Sequence, residues 1–239
     1  MADIPILATI TGEYFQPVRL HYRVLDHEGL HRAFKKLRCL DYDTTQKRWV
    51  WLYEHEAKTL RFKRSYVQIP RHLHPMVIGS IFLRGNDRLH LDLRSCERAM
   101  LAIPFFDEHL PRSVAKVREA EVVNKLFSAA ENQKLTPDIL FDNQESVFCD
   151  PEAIIRRIKE LTAHVQDPEE KINIVCEDLE SQLRQPLPEF ERLPIHYYED
   201  GIQGITTSLQ LRQVVALQHW LGNSDYTMFD VMRSVQKSM

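Results

Sequence analysis

The clearest pattern in the chain is a strict alternation of apolar and polar residues in two segments of the first hundred. In 17–25 four apolar residues alternate with Arg19, His21 and Arg23. In 76–93 an apolar run is followed by Gly-Asn-Asp and then by leucines that alternate with polar residues. Period-two alternation is typical of a strand with one buried face, and Gly, Asn and Asp favour a reversal. We therefore predict a strand at 17–25 and a β-hairpin at 76–93.

Other segments complete the prediction for the first 110 residues. Asp26 is suited to cap a helix with an apolar stripe at Leu30, Ala33, Phe34 and Leu37. Aromatic and β-branched residues predict strands at 48–53, 60–63 and 66–69, and a helix is expected from Ser95, bent or restarted at Pro104. The predicted fold class is α+β, with an N-terminal, mostly antiparallel sheet that helices cover on one face and a mainly α-helical C-terminal region after it.

After Pro111 the pattern changes to helical periodicity. Ser113 is suited to cap a helix over 114–127, and 132–144 is interpreted as a polar connection. The phrase Asp-Pro-Glu, at 150–152 and again at 167–169, is typical of a helix start and predicts a helical hairpin at about 150–184. A Pro-rich connection at 185–200 and C-terminal helices at 208–237 follow, capped at Ser208 and Thr227. The predicted domains are 1–111 and 112–239.

Composition narrows the class of protein. The chain has 239 residues, of which 44% are hydrophobic and 27% charged, so it can bury an ordinary core. Since no apolar run approaches the roughly 18 residues of a membrane span, we expect no membrane association. The four cysteines are scattered, which favours a reduced cytoplasmic protein over a disulfide scaffold. Gly-rich phosphate loops are absent from the sequence, and no cofactor is predicted.

One pentapeptide matches a zinc-peptidase pattern. His27-Glu28-Gly29-Leu30-His31 fits H-E-x-x-H, which places two imidazoles on one helical face with the glutamate as general base. Glu54 or Glu56 could supply a third ligand. The match falls in the first turn of its helix, which Gly29 weakens, so we interpret it as the border of an amphipathic helix. A zinc-dependent hydrolase is the third-ranked hypothesis, with His27 and His31 as its metal ligands.

A second histidine cluster lies just before the hairpin. His72 and His74 have the H-x-H spacing that places two rings on one side of a strand, and His90 and Asp92 follow in the hairpin. Pro70 and the proline after His74 bracket the motif, so solvated loop histidines are the preferred interpretation.

The polar side of the predicted sheet is a candidate binding surface. It displays eight basic residues: Arg19, His21, Arg23, Arg61, Lys63, Arg88, His90 and Arg94. Trp49, Trp51 and Tyr53 belong to the same sheet and could face either way. Arginines that bind phosphate, beside aromatics that stack on bases, are typical of RNA and single-strand binders. Residues 1–100 carry a net charge of +6, but no RNP1-like run is present.

The second half of the chain favours a protein partner. Residues 101–239 carry a net charge of −9 and end in an aromatic and methionine-rich segment of Trp220, Tyr226, Met228, Phe229 and Met232. These residues are equally suited to an internal core. We predict a non-catalytic binding or adaptor protein that acts through a protein partner or self-association. RNA or single-stranded nucleic-acid binding through the basic sheet face is the alternative.

Overall fold

One sheet organises the protein. The computed structural model describes residues 5–197 and 204–238, and its strands are β1 (Val18–Val24), β2 (Leu40–Asp43), β3 (Arg48–Leu52), β4 (Val77–Arg84), β5 (Arg88–Leu93), β6 (Ala115–Val123), β7 (Val147–Phe148) and β8 (Phe190–Pro194). Their spatial order is β2-β3-β4-β5-β1-β6-β8-β7. Neighbouring strands are antiparallel except β7 and β8, which are parallel. The predicted α+β class is confirmed.

Seven α-helices accompany the sheet in the described ranges: α1 (His27–Lys36), α2 (Cys96–His109), α3 (Pro137–Asp142), α4 (Pro151–Thr162), α5 (Pro168–Leu183), α6 (Ile205–Trp220) and α7 (Met228–Ser238). Short 3-10 turns occupy His55–Thr59, Tyr66–Gln68, Arg71–Leu73 and Ala129–Lys134. Among these helices none has the length and apolarity to cross a bilayer.

The main core lies between the apolar face of the sheet and helices α1 and α2. Trp51 is fully buried, and its ring packs against Phe105 and Phe106 of α2. Trp49 contacts Phe34 of α1 in the same way. The tryptophans of β3 therefore face the core, so they offer no stacking surface to a nucleic acid.

The predicted strand and hairpin of the N-terminal half are confirmed by β1, β4 and β5. The Asp26 side chain accepts the backbone N–H of Gly29 and caps α1 as expected. The strands predicted at 60–63 and 66–69 are wrong: 60–63 is an irregular segment, and the second forms a 3-10 turn. Short apolar runs do not by themselves distinguish a strand from a packed turn.

The helix predicted over 114–127 is also wrong, because most of this segment forms β6. Val117, Ala120 and Val122 point into the core while Glu119 and Glu121 point to the other face. Its Ala, Glu and Arg content favours a helix locally, but pairing with β1 on one side and β8 on the other outweighs that preference.

The segment 132–144, predicted as a connection, contains α3. Phe141 of this short helix is buried, and α3 lies on the polar face of the sheet. Strand β2, which the sequence pattern did not predict, pairs with β3.

The helical hairpin 151–183 is formed by α4 and α5. Asp150 and Asp167 cap the two helices through their side chains, as their sequence predicts. Helix α6 begins three residues before the predicted cap Ser208, and the predicted connection 185–200 contains β8. Residues 198–200 of that connection lie outside the described ranges. Before α7, the Asp230 carboxylate accepts the backbone N–H and the hydroxyl of Thr227, the predicted cap residue.

The predicted domain boundary at residue 111 lies between α2 and β6. Strand β6 pairs with β1 along its length, so chain from both sides of the boundary shares one sheet. The division into two domains stays a prediction.

Candidate functional site

A row of polar residues crosses the polar face of the sheet, and their charges alternate from strand to strand except at the uncharged Ser80. Most members of the row lie opposite each other on neighbouring strands. Arg48 is joined to Ser80 by a hydrogen bond, which its side chain donates to Ser80 Oγ (2.9 Å). We call these residues the charged row; from β2 to β8 they are Asp43, Arg48, Ser80, Asp92, Arg19, Glu121 and Arg192. Opposite charges on adjacent strands attract each other. The face that was predicted to be basic is therefore largely neutralised along this row.

Arg19 and His90 are the most enclosed of the predicted binding residues, and Arg19 makes the larger number of polar contacts. Its Nε and Nη2 donate to the two carboxylate oxygens of Asp92 at 2.6 and 2.9 Å, and its Nη1 donates to Asp142 of α3. The guanidinium carbon also lies 5.2 Å from the centre of the Phe141 ring. Since only 6% of the Arg19 side chain is exposed, its contacts hold α3 on the sheet and leave little surface for a ligand.

His21 and His90 occupy the next row of the same face, opposite each other on β1 and β5. His21 Nε2 lies 2.8 Å from Glu121 Oε2. Burial alone would raise the pKa of Glu121, but the contact with His21, together with Ser146 and Arg192, outweighs burial and lowers it. His90 is buried against the Phe82 ring, and burial, assisted by the nearby charge of Arg19, lowers its pKa to about 2.

The stability of the protein is expected to fall as the pH drops below about 6.5, the pKa of an unfolded histidine. The lowered pKa of His90 means that the unfolded chain binds a proton there that the folded protein excludes, so stability is lost as protons become available. Between pH 7 and pH 5, His90 alone should reduce the free energy of unfolding by about 2 kcal/mol. Urea denaturation at the two pH values measures this loss.

Two variants separate His90 from the other histidines. His90→Gln should remove this part of the pH dependence, whereas His72→Gln, at an exposed loop position, should leave it intact. A His90→Gln protein with the wild-type pH profile would mean that His90 titrates normally in the fold.

The remaining predicted binding residues separate into two groups. Arg23, Arg88 and Arg94 lie at or just beyond strand ends and are exposed. Arg61 and Lys63 lie in the irregular segment after the first 3-10 turn, away from any strand, and Lys63 Nζ lies 3.8 Å from Glu97. The structure therefore does not bring the eight residues together on one surface.

Two cavities open on the polar face. One of about 490 Å³ lies between the sheet and the start of α3, lined by both signs of charge: Arg48, Asp92, Arg94 and Asp138. The other cavity, of about 280 Å³, lies where β1, β5, β6 and β8 come together, and we call it the basic pocket. The charged residues and the histidine that line it are His21, Arg23, Asp87, Arg88, Arg118, Glu119 and Arg192. Arg118 and Arg192 were missed by sequence reasoning, because 114–127 was assigned to a helix and 185–200 to a connection.

The H-E-x-x-H residues lie on the outer side of α1. The rings of His27 and His31 are adjacent, with 4.8 Å between their centres, and Glu28 is paired with Arg32. Glu56, an expected third ligand, accepts the backbone N–H of Cys39 instead. Across the described part of the chain, no three His, Cys, Asp or Glu side chains form a group that could hold a metal ion.

The H-x-H motif lies in the 3-10 turn Arg71–Leu73 and the residue after it. His72 is exposed, while the ring of His74 packs on Tyr66 with 4.4 Å between centres and makes a hydrogen bond to the carbonyl of Ile69 (3.2 Å). The motif lies in a turn and not in a strand, as the prolines around it predict, but only His72 is solvated.

The hairpin 151–183 carries a group of exposed apolar side chains. Neither α4 nor α5 contains a buried residue, although each has an amphipathic stripe. Ile154, Ile155, Leu161, Ile172 and Leu179 are all exposed. A cavity of about 410 Å³, here called the apolar groove, runs between this hairpin and α7; its lining includes Ile154, Leu179, Leu183, Leu187 and Met228.

Part of the predicted protein-binding end packs inside the chain. Met228 and Val231 of α7 are buried together with Val215 of α6, whereas Met232 stays exposed. The hairpin therefore offers more free apolar surface than the C-terminal helix does.

Comparison with known proteins assigns the chain to no family: no family model matches it, and searches of curated proteins and of solved structures return no match.

Proposed function

We propose that the protein is a non-catalytic binding protein that engages a helical segment of another protein through the hairpin 151–183. The observation that carries the proposal is the exposure of both apolar stripes, with Ile172 62% exposed and Ile155 51% exposed. An amphipathic helix in a folded protein normally buries its apolar stripe. Exposed apolar patches of this kind mark interaction sites.

The groove has the form that helix-binding proteins use. Ile154 and Leu179 line it from the two arms of the hairpin, and Met228 closes it from α7. The arms are held by an ion pair between Arg157 and Asp178, so the groove exists before a partner binds. Large apolar anchors of a partner helix at positions i, i+4 and i+7 would enter such a groove.

The net charge of the hairpin indicates the charge of the partner helix. Residues 150–184 contain nine acidic and five basic residues, a net charge of −4. Lysine or arginine residues at the rim of a partner helix would complement this charge and speed association. We therefore propose an amphipathic helix with basic flanks as the occupant.

The cysteines support a cytoplasmic location for this interaction. Cys39, Cys96, Cys149 and Cys176 are all free, as in proteins kept in a reducing compartment.

Selection from a displayed library of 16-residue helical peptides tests the proposal. The wild-type protein should enrich peptides with an apolar stripe and basic flanks. These peptides should bind the Ile154→Ser/Leu179→Ser variant at least tenfold more weakly, since anchor residues carry most of the energy of an interface. Fluorescence anisotropy measures the affinities. Because both side chains are exposed, the variant's free energy of unfolding should stay within about 0.5 kcal/mol of wild type.

Val67→Ser is the matched control, since Val67 is a highly exposed apolar residue outside the groove. Its binding should equal that of wild type. Peptides that bind the double variant as tightly as wild type, or that carry acidic flanks, would contradict the proposal. A dimer that the double variant abolishes, with no peptide enriched, would assign the groove to self-association instead.

A further inference from the structure

A second surface, independent of the hairpin, has the composition of an anion site. The basic pocket contains four arginines, contributed by four strands: Arg23 from β1, Arg88 from β5, Arg118 from β6 and Arg192 from β8. Arginines brought together from four strands repel one another, and an anion between them would relieve that repulsion.

A bulge in β6 aims one of these arginines into the pocket. The pairing with β1 passes from Glu119 opposite His21 directly to Val117 opposite Tyr22, which leaves Arg118 as an extra residue. In regular alternation Arg118 and Glu119 would point to opposite faces, yet both line the same pocket. Bulges commonly re-aim side chains next to functional sites.

The arginines of the pocket are incompletely satisfied. Within the described residues Arg23 and Arg118 form no ion pair, and both are exposed. The Nε of Arg192 is buried and lies 3.6 Å from Glu119 Oε2, too far for a hydrogen bond, and its Nη2 lies 4.0 Å from Glu121. A buried donor without a partner is costly, so an acceptor at this position would stabilise the site.

Charge within the pocket stays positive after internal pairing. The four arginines face two lining carboxylates, Asp87 and Glu119, and Arg88 is only loosely paired with Asp87 at 3.7 Å. His21 adds a further ring at the pocket wall. Guanidinium groups bind phosphate oxygens in bidentate fashion, which makes phosphate the anion that best suits this lining.

We propose that the basic pocket binds the phosphate group of a compact phosphorylated molecule. Its volume of about 280 Å³ suits one small ligand. A nucleic-acid strand would need a longer basic track, and the neighbouring charged row is neutralised by Asp92 and Glu121. The two carboxylates at the wall can accept hydrogen bonds from hydroxyl groups of the rest of the ligand.

Isothermal titration with inorganic pyrophosphate tests this site in the 239-residue chain at low ionic strength. Wild-type protein should bind one pyrophosphate, and Arg23→Ala and Arg118→Ala should each weaken binding about tenfold or more, as expected for the loss of one charge-assisted contact. Both arginines are exposed and without ion pairs, so neither substitution should disturb folding. Arg118→Lys should recover only part of the affinity, because lysine cannot bind in bidentate fashion.

Arg71→Ala is the matched control, an exposed arginine in a distant 3-10 turn, and it should bind like wild type. A parallel titration with single-stranded oligouridylate of 20 nucleotides distinguishes the two sources of phosphate. The proposal is overturned if pyrophosphate fails to bind, if Arg71→Ala weakens binding as much as Arg118→Ala, or if only the RNA binds. The result of the pyrophosphate titration is independent of the result of the peptide selection at the apolar groove, since the two sites share no residue.

Discussion

Replacing Arg19 by Met should lower the free energy of unfolding by about 3–5 kcal/mol, the range measured when one partner of a buried ion pair is removed. The variant would leave Asp92, whose side chain is 3% exposed, without its two hydrogen bonds from arginine. Asp142 would keep only its ion pair with Arg84, at 3.4 Å, and α3 would lose the cation that lies against the Phe141 ring. Urea denaturation measures the global loss, and hydrogen exchange in 137–142 reports whether α3 detaches.

The loss should also depend on pH. Burial already raises the pKa of Asp92 despite Arg19, and removal of the arginine would raise it further. A carboxyl whose pKa is higher in the folded than in the unfolded state binds a proton on folding, so stability falls as the pH rises. The Arg19→Met variant should therefore lose more stability at pH 8 than at pH 5.

Arg23→Met is the matched control, because Arg23 lies four residues further along the same face of β1 and is exposed. It should change stability by no more than about 0.5 kcal/mol. A second variant, Arg19→Met/Asp92→Leu, should recover part of the loss by removing the unpaired charge. A cost below about 1 kcal/mol for Arg19→Met would mean that water or another group satisfies Asp92.

Replacing Arg212 by Met should cost a similar amount, about 3–5 kcal/mol. Arg212 Nε and Nη2 each donate to Glu191 at 2.7 Å, and both side chains are only 8% exposed. This pair joins α6 to β8. Without the arginine, Glu191 would keep Asn124 as a neutral donor but would hold an unpaired charge in the core. Thermal unfolding and hydrogen exchange in α6 should both report the loss.

Arg156→Met is the control for this prediction, because Arg156 pairs with Asp150 and Glu152 on the exposed side of α4. Exposed ion pairs contribute little, so this change should stay within about 0.5 kcal/mol. Glu191→Gln in the Arg212→Met background should restore part of the stability. If Arg156→Met and Arg212→Met lowered the free energy of unfolding equally, burial of the Arg212–Glu191 pair would have no energetic consequence.

The two buried pairs also show where sequence reasoning reached its limit. Arg19 alternates with apolar residues as a solvent-facing residue does, so the pattern alone predicts that it lies on the solvent-exposed face of the strand. Its burial comes from α3, a helix of six residues in a stretch that reads as a connection. Glu191 and Arg212 lie 21 residues apart and carry no local signal of their pairing. Contacts of this kind depend on which segments meet in space.

Strand β6 illustrates the same limit in secondary structure. Its local composition favours a helix, while its position between β1 and β8 satisfies backbone groups on both edges. Because the preference of a strand depends on its neighbours, the correct assignment requires the sheet order. Because β6 and β8 were not predicted as strands, Arg118 and Arg192 could not be placed on the sheet, and the basic pocket could not be predicted.

The elements whose signals are local could be predicted from the sequence: β1, the hairpin of β4 and β5, the capped helix α1 and the helical hairpin 151–183. Alternation, turn residues and side-chain caps act over a few residues, so they can be read along the chain. The three-dimensional packing was needed to show that Trp49 and Trp51 are buried, that Arg19 is paired, and which arginines share a pocket. Those outcomes follow from the packing of segments far apart in the chain, where burial changes the energy of a charge far more than any local preference does.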